Sequence, residues 1–341
     1  MAKTLEEIAK LAEVSRSTVS RVVNKHPNVR PEVRQRVQKI IEETAYQPNA
    51  AARSLAFQRS NVIGLAIPRS VHTLFTDPYF PPLTQGIAQA CNQYGYILSL
   101  FIEFDEQTLF PRITRQGLLD GLVVQVANTR SDLLAKLASV DMPFIVAGRP
   151  HNAPNVSYID VDNITGAYNA VTHLIRLGHK RIGTITGPLD TTAGLDRLEG
   201  YRKAILERGL TLDEALLSEG DFTETGGYYA TQRLLGEKPD AVFAASDVMA
   251  YGALRALREA GLAVPHNVAL VGFDDVPCAG TDPSFLTTVR QPVISFGFKA
   301  VELLLDIMEH GAQPPRRILM STELVVRASC GAQQNTRRLG I

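Results

Sequence analysis

The sequence predicts an N-terminal all-α helix-turn-helix head followed by an α/β body of two tandem, doubly wound parallel-sheet subdomains. Three observations carry this fold class. Residues 4–24 hold two short helical patterns that meet across a tight turn. Residues 61–330 alternate short apolar runs with longer helical patterns, as parallel sheets with crossover helices do. At 341 residues the chain exceeds one average domain and suits a small head plus a large body.

The head begins with a capping box, Thr4 at N-cap and Glu7 at N3. Leu5, Ile8, Ala9 and Ala12 follow at helical spacing on one face. Ala12, Glu13 and Val14 make the turn, and Ser15 is a natural N-cap for a second helix. Val19, Val22 and Val23 turn that helix's apolar side to the first, which leaves Arg16, Ser17, Ser20 and Arg21 outward. In a third helix Pro31 fits N1. Val33, Val37, Ile40 and Ile41 form its apolar stripe, with Tyr46 closing the small core.

The outward face is basic and small-polar. Residues 1–60 carry 11 Lys and Arg against 6 Glu, a net of +5. The whole chain has 35 of each sign, so the remainder carries −5. A basic arm on an acidic body implies a polyanion at one end. A helix presenting Arg and Ser fits a DNA major groove, where Arg bonds guanine O6 and N7 and Ser bonds several base edges. A solvated three-helix bundle would show a mixed Glu and Lys face instead. Residues 49–56, N-A-A-A-R-S-L-A, then form a helix too short to be stable alone. Its one large apolar residue, Leu55, is either a minor core contact or a wedge between base steps in a minor groove.

The motif V-S-R-S-T-V-S-R-V-V-N at 14–24, with the segment 49–56 at matching separation, resembles the lactose-repressor/galactose-repressor family of bacterial transcription regulators. The resemblance implies that Arg16, Ser17 and Arg21 contact operator bases, with Ser20 and Asn24 on the same helix, and that Leu55 intercalates at the operator centre. Arg30 departs from the family, which often has Ser or Thr capping the third helix there.

Composition bounds the rest. Hydrophobic residues make up 45%, enough for a proper core, and no apolar run approaches the ~20 residues of a membrane span. Residues 1–3 lead straight into the capping box, so no signal peptide and no membrane partner are expected. Cys91, Cys278 and Cys330 are scattered without CxxC spacing and read as reduced thiols in a cytoplasmic protein.

In the body, strands are expected at 62–67, 96–100, 121–124, 144–147, 156–159, 181–186, 241–244, 268–273 and 287–290. Helices are expected at 83–94, 163–177, 196–207, 225–235, 247–260 and 294–310, with Gly178, Gly209 and Gly261 ending three of them. The domains are then a head at 1–48, a hinge helix and linker at 49–60, a body at 61–330 and a tail at 331–341. The N-subdomain takes about 61–160 plus 291–320, and the C-subdomain about 161–290 plus 321–330. Ligands in such sheets bind at the carboxyl ends of the strands, so two facing units create a cleft. The strand ends carry Pro68-Arg69-Ser70, Gly148-Arg149, Gly187-Pro188, Ser246-Asp247, Asp274-Asp275 and Arg290-Gln291. No Gly-rich phosphate loop, HExxH, nucleophile elbow or Cys/His cluster appears, so neither catalysis, a metal nor a cofactor is expected. Paired acids at 274–275 read either as loop caps or as an acid/base couple without a nucleophile.

The segments H-L-I-R-L-G-H-K-R-I at 173–182, D-R-L-E-G-Y at 196–201, A-S-D-V-M-A at 245–250 and V-G-F-D-D at 271–275 extend the resemblance across nearly the whole chain. The body is also similar to periplasmic sugar-binding proteins. The resemblance implies effector contacts from Arg197, Ser246, Asp274 and Gln291, with Arg149 at another strand end. Arg197 is alternatively a salt bridge. Tyr79 and Phe80 either cover a sugar ring or belong to the core. Gly148 departs from the many sugar-responsive members that have an acid before the Arg, which leaves room for a larger glycan, such as a disaccharide, or for another ligand class. The tail beyond Cys330 has no leucine heptad, so a tetramerising coiled coil is not expected.

The expected protein is a homodimeric, sequence-specific DNA-binding regulator, a repressor of carbohydrate genes. It would bind a pseudopalindromic double-stranded operator and be released by a mono- or disaccharide. The same head would serve a regulator with a nucleobase or phosphoprotein effector. An enzyme or a transport binding protein with an appended head would need catalytic motifs or a signal peptide.

Overall fold

The computed structural model describes residues 3–24, 26–46, 59–125, 128–151, 153–277, 282 and 284–332. It divides into two compact units, Met1–Ser60 and Asn61–Ile341.

The first unit folds as its spacing dictates. Helix α1 is Leu5–Leu11, α2 Arg16–Val23 and α3 Pro31–Glu43. The Thr4 N–H donates to Glu7 Oε2 at 2.7 Å, and the Glu7 N–H donates back to Thr4 Oγ1 at 3.3 Å. Ser15 Oγ accepts from the Thr18 N–H at 3.2 Å and starts α2. Between them Glu13 takes the left-handed conformation, φ 51, that a tight turn requires. Ile8, Ala9, Ala12, Val19, Val22, Val37 and Tyr46 form the buried core, with Leu5, Val14, Val23, Val33, Ile40 and Ile41 packed against it. Arg30 precedes α3 without a side-chain cap, and Pro31 supplies the preset φ instead. Residues 49–56 and Leu55 lie outside the described residues.

The second unit holds twelve strands among the described residues. In chain order they are β1 Val62–Ile67, β2 Ile97–Ile102, β3 Gly121–Gln125, β4 Phe144–Ala147, β5 Tyr158–Val161 and β6 Ile182–Thr186. Then come β7 Leu217–Glu219, β8 Ala241–Ala244, β9 Ala269–Asp274, β10 Thr287–Arg290, β11 Arg317–Met320 and β12 Glu323–Val325. They form two six-stranded sheets, ordered β11-β5-β4-β3-β1-β2 and β12-β10-β9-β8-β6-β7. All pairs are parallel except β10 with β12. The chain therefore crosses between sheets three times, after β5, after β10 and after β11. The helices that cover them are α4 Val71–Thr76, α5 Phe80–Gln93, α6 Glu106–Ile113, α7 Leu133–Ala138, α8 Asn163–Arg176 and α9 Thr192–Glu207. The last three are α10 Glu224–Leu235, α11 Asp247–Glu259 and α12 Val293–His310.

Each sheet has its own core. Ile63, Leu65, Ile67, Val123, Ile145 and Ile159 pack under α5 and α12, while Ile182, Phe243, Val271 and Phe273 pack under α8 and α9. Helices α5 and α12 cross backbone to backbone. A Cβ on Gly86 would strike the Ile294 carbonyl, and one on Gly297 would lie 2.5 Å from the Leu83 carbonyl. Gly178, Gly209 and Gly261 follow α8, α9 and α11 at φ 101, 75 and 74.

The differences from expectation are local. Strand β2 runs two residues past 100, and β5 spans 158–161 rather than 156–159. Helix α5 starts at Phe80 rather than 83, because Pro81 and Pro82 occupy first-turn positions whose N–H groups need no intrahelical partner. Strands β7, β11 and β12 and helices α4, α6 and α7 were not expected from the sequence. The strands are three or four residues long, and α6 carries Pro111 inside it.

Candidate functional site

On the first unit, Arg16, Ser17, Arg21 and Asn24 stand exposed on α2 and Ser20 is half-buried. Arg16 Nη1 lies 3.3 Å from Glu6 Oε1, a solvent-facing pair that contributes at most about 1 kcal/mol and yields readily to a stronger anion. Asn24 Nδ2 donates to Ser20 Oγ at 3.3 Å. Among the described residues these side chains bond only to one another or to exposed neighbours, so the face offers its donors at low cost to the fold.

In the second unit the carboxyl ends of the two sheets face each other across a cleft of about 890 Å³, counted to its open mouth. Tyr79, Phe80, Arg149, Arg197, Ser246, Asp274 and Gln291 all line it. At its floor Arg197, 5% exposed, donates from Nε to Asn163 Oδ1 at 2.9 Å. Its Nη1 donates to the Ala245 carbonyl at 2.5 Å and to Asp274 Oδ1 at 3.2 Å. The guanidinium carbon sits 3.8 Å from the Phe273 ring centroid, which fixes the plane of the fork. Gln291 Nε2 donates to the same Asp274 oxygen at 2.6 Å. Arg197 is thus both a salt bridge and a cleft residue.

Asp274 and Asp275 both hold positive φ, 120 and 55. Such backbone costs on the order of 1–3 kcal/mol per residue and persists where the surroundings over-determine it. Here they do. Asp274 is bonded as above, and Asp275 accepts from Arg290 Nε and Arg327 Nη2, each at 2.7 Å. Burial pushes Asp274 up to about 6, against the pull of Arg197. Burial likewise raises Asp160 to about 6 and moves Asp77 above the usual carboxylate range. Tyr79 is driven upward by burial and by the Asp160 and Asp274 charges, so its phenol stays protonated. Its ring meets Phe80 edge to face at 5.7 Å. Phe80, 4% exposed, belongs to the first sheet's core as well as to the lining.

Arg149 and Ser246 are partly committed. Arg149 Nη2 reaches Asp196 Oδ1 on α9 at 2.5 Å, a pair that spans the two subdomains, and its N–H donates to Asp160 Oδ2 at 3.0 Å. Ser246 Oγ accepts from the Met249 N–H at 3.2 Å as the cap of α11, which leaves its O–H to donate. Gly148 sits at φ 103 with open space where a side chain would stand.

The sequence reading missed Asp160, Asn163, Gln125, Thr192 and Asp77, which also line the cleft. Asp160 and Asn163 bracket the carboxyl end of β5, the kind of strand end at which ligands bind in such sheets. Among the described residues, Gln125 Oε1 and Thr192 Oγ1 are buried without a hydrogen-bond partner, as donors and acceptors reserved for a ligand would be. Among the described residues no group of three or more His, Cys, Asp or Glu could hold a metal ion. No helix among them is long and apolar enough to cross a membrane. Cys91 and Cys330 are buried free thiols, and Cys278 lies outside the described residues.

The geometry has relatives. Residues 4–49 match the model of bacterial regulatory proteins of the lacI family, and residues 171–330 match a periplasmic binding protein-like domain. The chain is 39% identical over 333 residues to the HTH-type transcriptional regulator CelR of Thermobifida fusca, covering 96% of this chain and 98% of CelR. It is 35% identical over 333 residues to the HTH-type transcriptional repressor PurR of Escherichia coli O1:K1 / APEC, covering 96% of each. Among solved structures, a CelR–cellobiose complex superposes with a TM-score of 0.76 at 37% identity, covering 96% of this chain and 99% of that one. The lac repressor dimer bound to operator and the anti-inducer ONPF superposes with a TM-score of 0.84 at 27% identity, covering 97% and 99%. A helix-turn-helix head, two facing and mainly parallel sheets and near-full-length similarity to named regulators agree: the chain belongs to the lacI family of bacterial regulatory proteins and is a DNA-binding transcriptional regulator.

Proposed function

We propose that the chain is a homodimeric repressor of carbohydrate genes that holds a pseudopalindromic operator and releases it when a sugar of mono- to disaccharide size enters the cleft. The observation that carries the effector reading is the floor network Asn163–Arg197–Asp274–Gln291. A prebonded carboxylate beside a fixed guanidinium presents an acceptor and donors to neighbouring hydroxyls, while Tyr79 and Phe80 offer an aromatic wall to a ring face. The open space at Gly148 and the cellobiose held by the CelR relative favour a glucose disaccharide.

A ligand shifts the DNA-competent state only by its difference in affinity for the two states. Arg149 and Asp196 face each other from opposite subdomains, so a sugar bonded to both sides favours one closure of the cleft. Arg16, Ser17, Ser20, Arg21 and Asn24 would meet base edges and phosphates in the major groove, and Leu55 would enter the minor groove at the operator centre. The dimer reading rests on exposed apolar side chains around edge strand β2 and neighbouring helices: Ile97 at 66%, Leu100, Tyr94 and Ile294. The lac repressor that the chain resembles is likewise a dimer on its operator.

Thermal shift and operator titration with cellobiose, maltose, glucose and a purine base test the reading. The disaccharide is expected to stabilise the protein, by about 2.7 kcal/mol at 100 times its dissociation constant, and to release operator DNA. Stabilisation by the purine alone, with tighter DNA binding, would contradict it.

A further inference from the structure

A second hollow of about 800 Å³, open to solvent, lies against the first. Arg69 lines both. Along two further loops the outer lining sits next to the inner one. Asp190 lines the outer hollow and Thr191 the inner, and adjacent Cα atoms are only ~3.8 Å apart. On the β3 loop Gln125 lines the inner hollow, and Asn128 and Arg130 the outer. The Thr129 N–H donates to the Asp190 carbonyl at 2.6 Å and joins these loops of opposite subdomains beside the hollow.

The chemistry of the outer hollow is particular. Phe104, at the end of β2, is 74% exposed there. Around it stand Arg69 and Arg130 against Glu106, Asp132 and Asp190. Two arginines against three carboxylates disfavour a phosphate, and among the described residues no acidic cluster there could hold a metal ion. The mixed charge suits a neutral ligand with many hydroxyls, while the bare aromatic face suits the apolar face of a pyranose ring. Glu106 is already oriented, its Oε1 accepting from Ser131 Oγ at 2.6 Å.

We infer that the cleft carries an outer sugar subsite, formed by Phe104, Glu106, Arg130 and Asp190, that takes the ring following the two held at the floor. The inference rests on the sugar reading proposed above. It makes a trisaccharide a tighter ligand than the disaccharide, and it makes Phe104 a determinant of chain length.

Titration calorimetry on the full chain decides it, with cellobiose against cellotriose and maltose against maltotriose as two probe series. In the wild type the trisaccharide of the preferred linkage is expected to bind on the order of tenfold tighter than its disaccharide. Phe104→Ala erases that gain and leaves the disaccharide within about twofold of wild type, while Phe104→Tyr, which keeps the ring, retains it. The exposed side chain leaves folding intact, and unchanged melting checks this. A trisaccharide no tighter than the disaccharide in the wild type overturns the subsite alone. So does a Phe104→Ala variant that weakens both lengths equally. Binding of no disaccharide in either series contradicts the glucose-disaccharide reading, and the subsite with it.

Discussion

The outward face of α2 and the floor of the body cleft both offer arginine to a partner, on opposite terms. Arg21 stands exposed on a helix whose core does not touch it. Arg197 is 5% exposed, bonded to three acceptors and stacked on Phe273. An exposed donor is free to follow a base edge or phosphate, and its loss is felt only when DNA is present. A buried donor is fixed before any ligand arrives, so its loss is felt by the fold and by the ligand together. The comparison separates the two recognition tasks by what a mutation disturbs.

The largest expected effect is therefore at the floor. Arg197→Ala strands Asp274 without its countercharge and leaves Asn163 Oδ1 and the Ala245 carbonyl unpaired. The body should lose on the order of 3–5 kcal/mol, as buried pairs do when one partner is removed. Thermal or denaturant unfolding reads this directly, and a loss under about 0.5 kcal/mol would break the comparison. Arg21→Ala should cost on the order of 1–3 kcal/mol of cognate-site binding and relax base choice. Its melting should stay within about 0.5 kcal/mol of wild type.

A smaller effect follows from the titration of the floor. Burial raises Asp274 and Asp160 to about 6 in the folded state, above the ~3.9 of an unfolded aspartate. Between those values the folded state binds more protons than the unfolded one. The contribution of these two groups to stability is thus fully present below about pH 4 and is lost as pH rises through about 6. In the proposed binding mode sugar affinity runs the other way, because the sugar would use the Asp274 carboxylate as acceptor. Affinity should weaken as pH falls below about 6, approaching tenfold per pH unit, and Asp274→Asn should flatten that dependence. A wild-type affinity constant from pH 7.5 to 5 would remove Asp274 from the sugar contact.

The same contrast explains what the sequence made legible. The head is local: its caps, turn and apolar stripes lie within residues 4–46, so helical spacing alone places Arg16, Ser17 and Arg21 outward. Its helices begin at Thr4 and Ser15 as capping chemistry dictates. The cleft is not local. Segments as far apart as 69–80, 125, 148–163, 191–197, 246 and 291 meet only because of the strand order. Arg197, Asp274, Ser246 and Gln291 were named through a family resemblance, whereas Gln125 and Thr192 had no motif to mark them. Short elements escaped for a related reason. A three-residue strand such as β7 has no period to read, and its existence depends on the neighbour it pairs with.

The central claim is that one cleft, with Asp274 at its floor, controls a DNA-binding face built on other residues. Fluorescence anisotropy tests it most directly, with an operator fragment selected by the wild-type protein from a random-sequence pool and titrated with cellobiose. Wild type should release the operator as the disaccharide saturates. Asp274→Asn, which keeps the side chain's size and tolerates the left-handed backbone at 274, should bind the operator and fail to release it at the same disaccharide concentration. Release by Asp274→Asn at the wild-type midpoint would contradict the account, since the effector would then act without the residue that anchors the cleft.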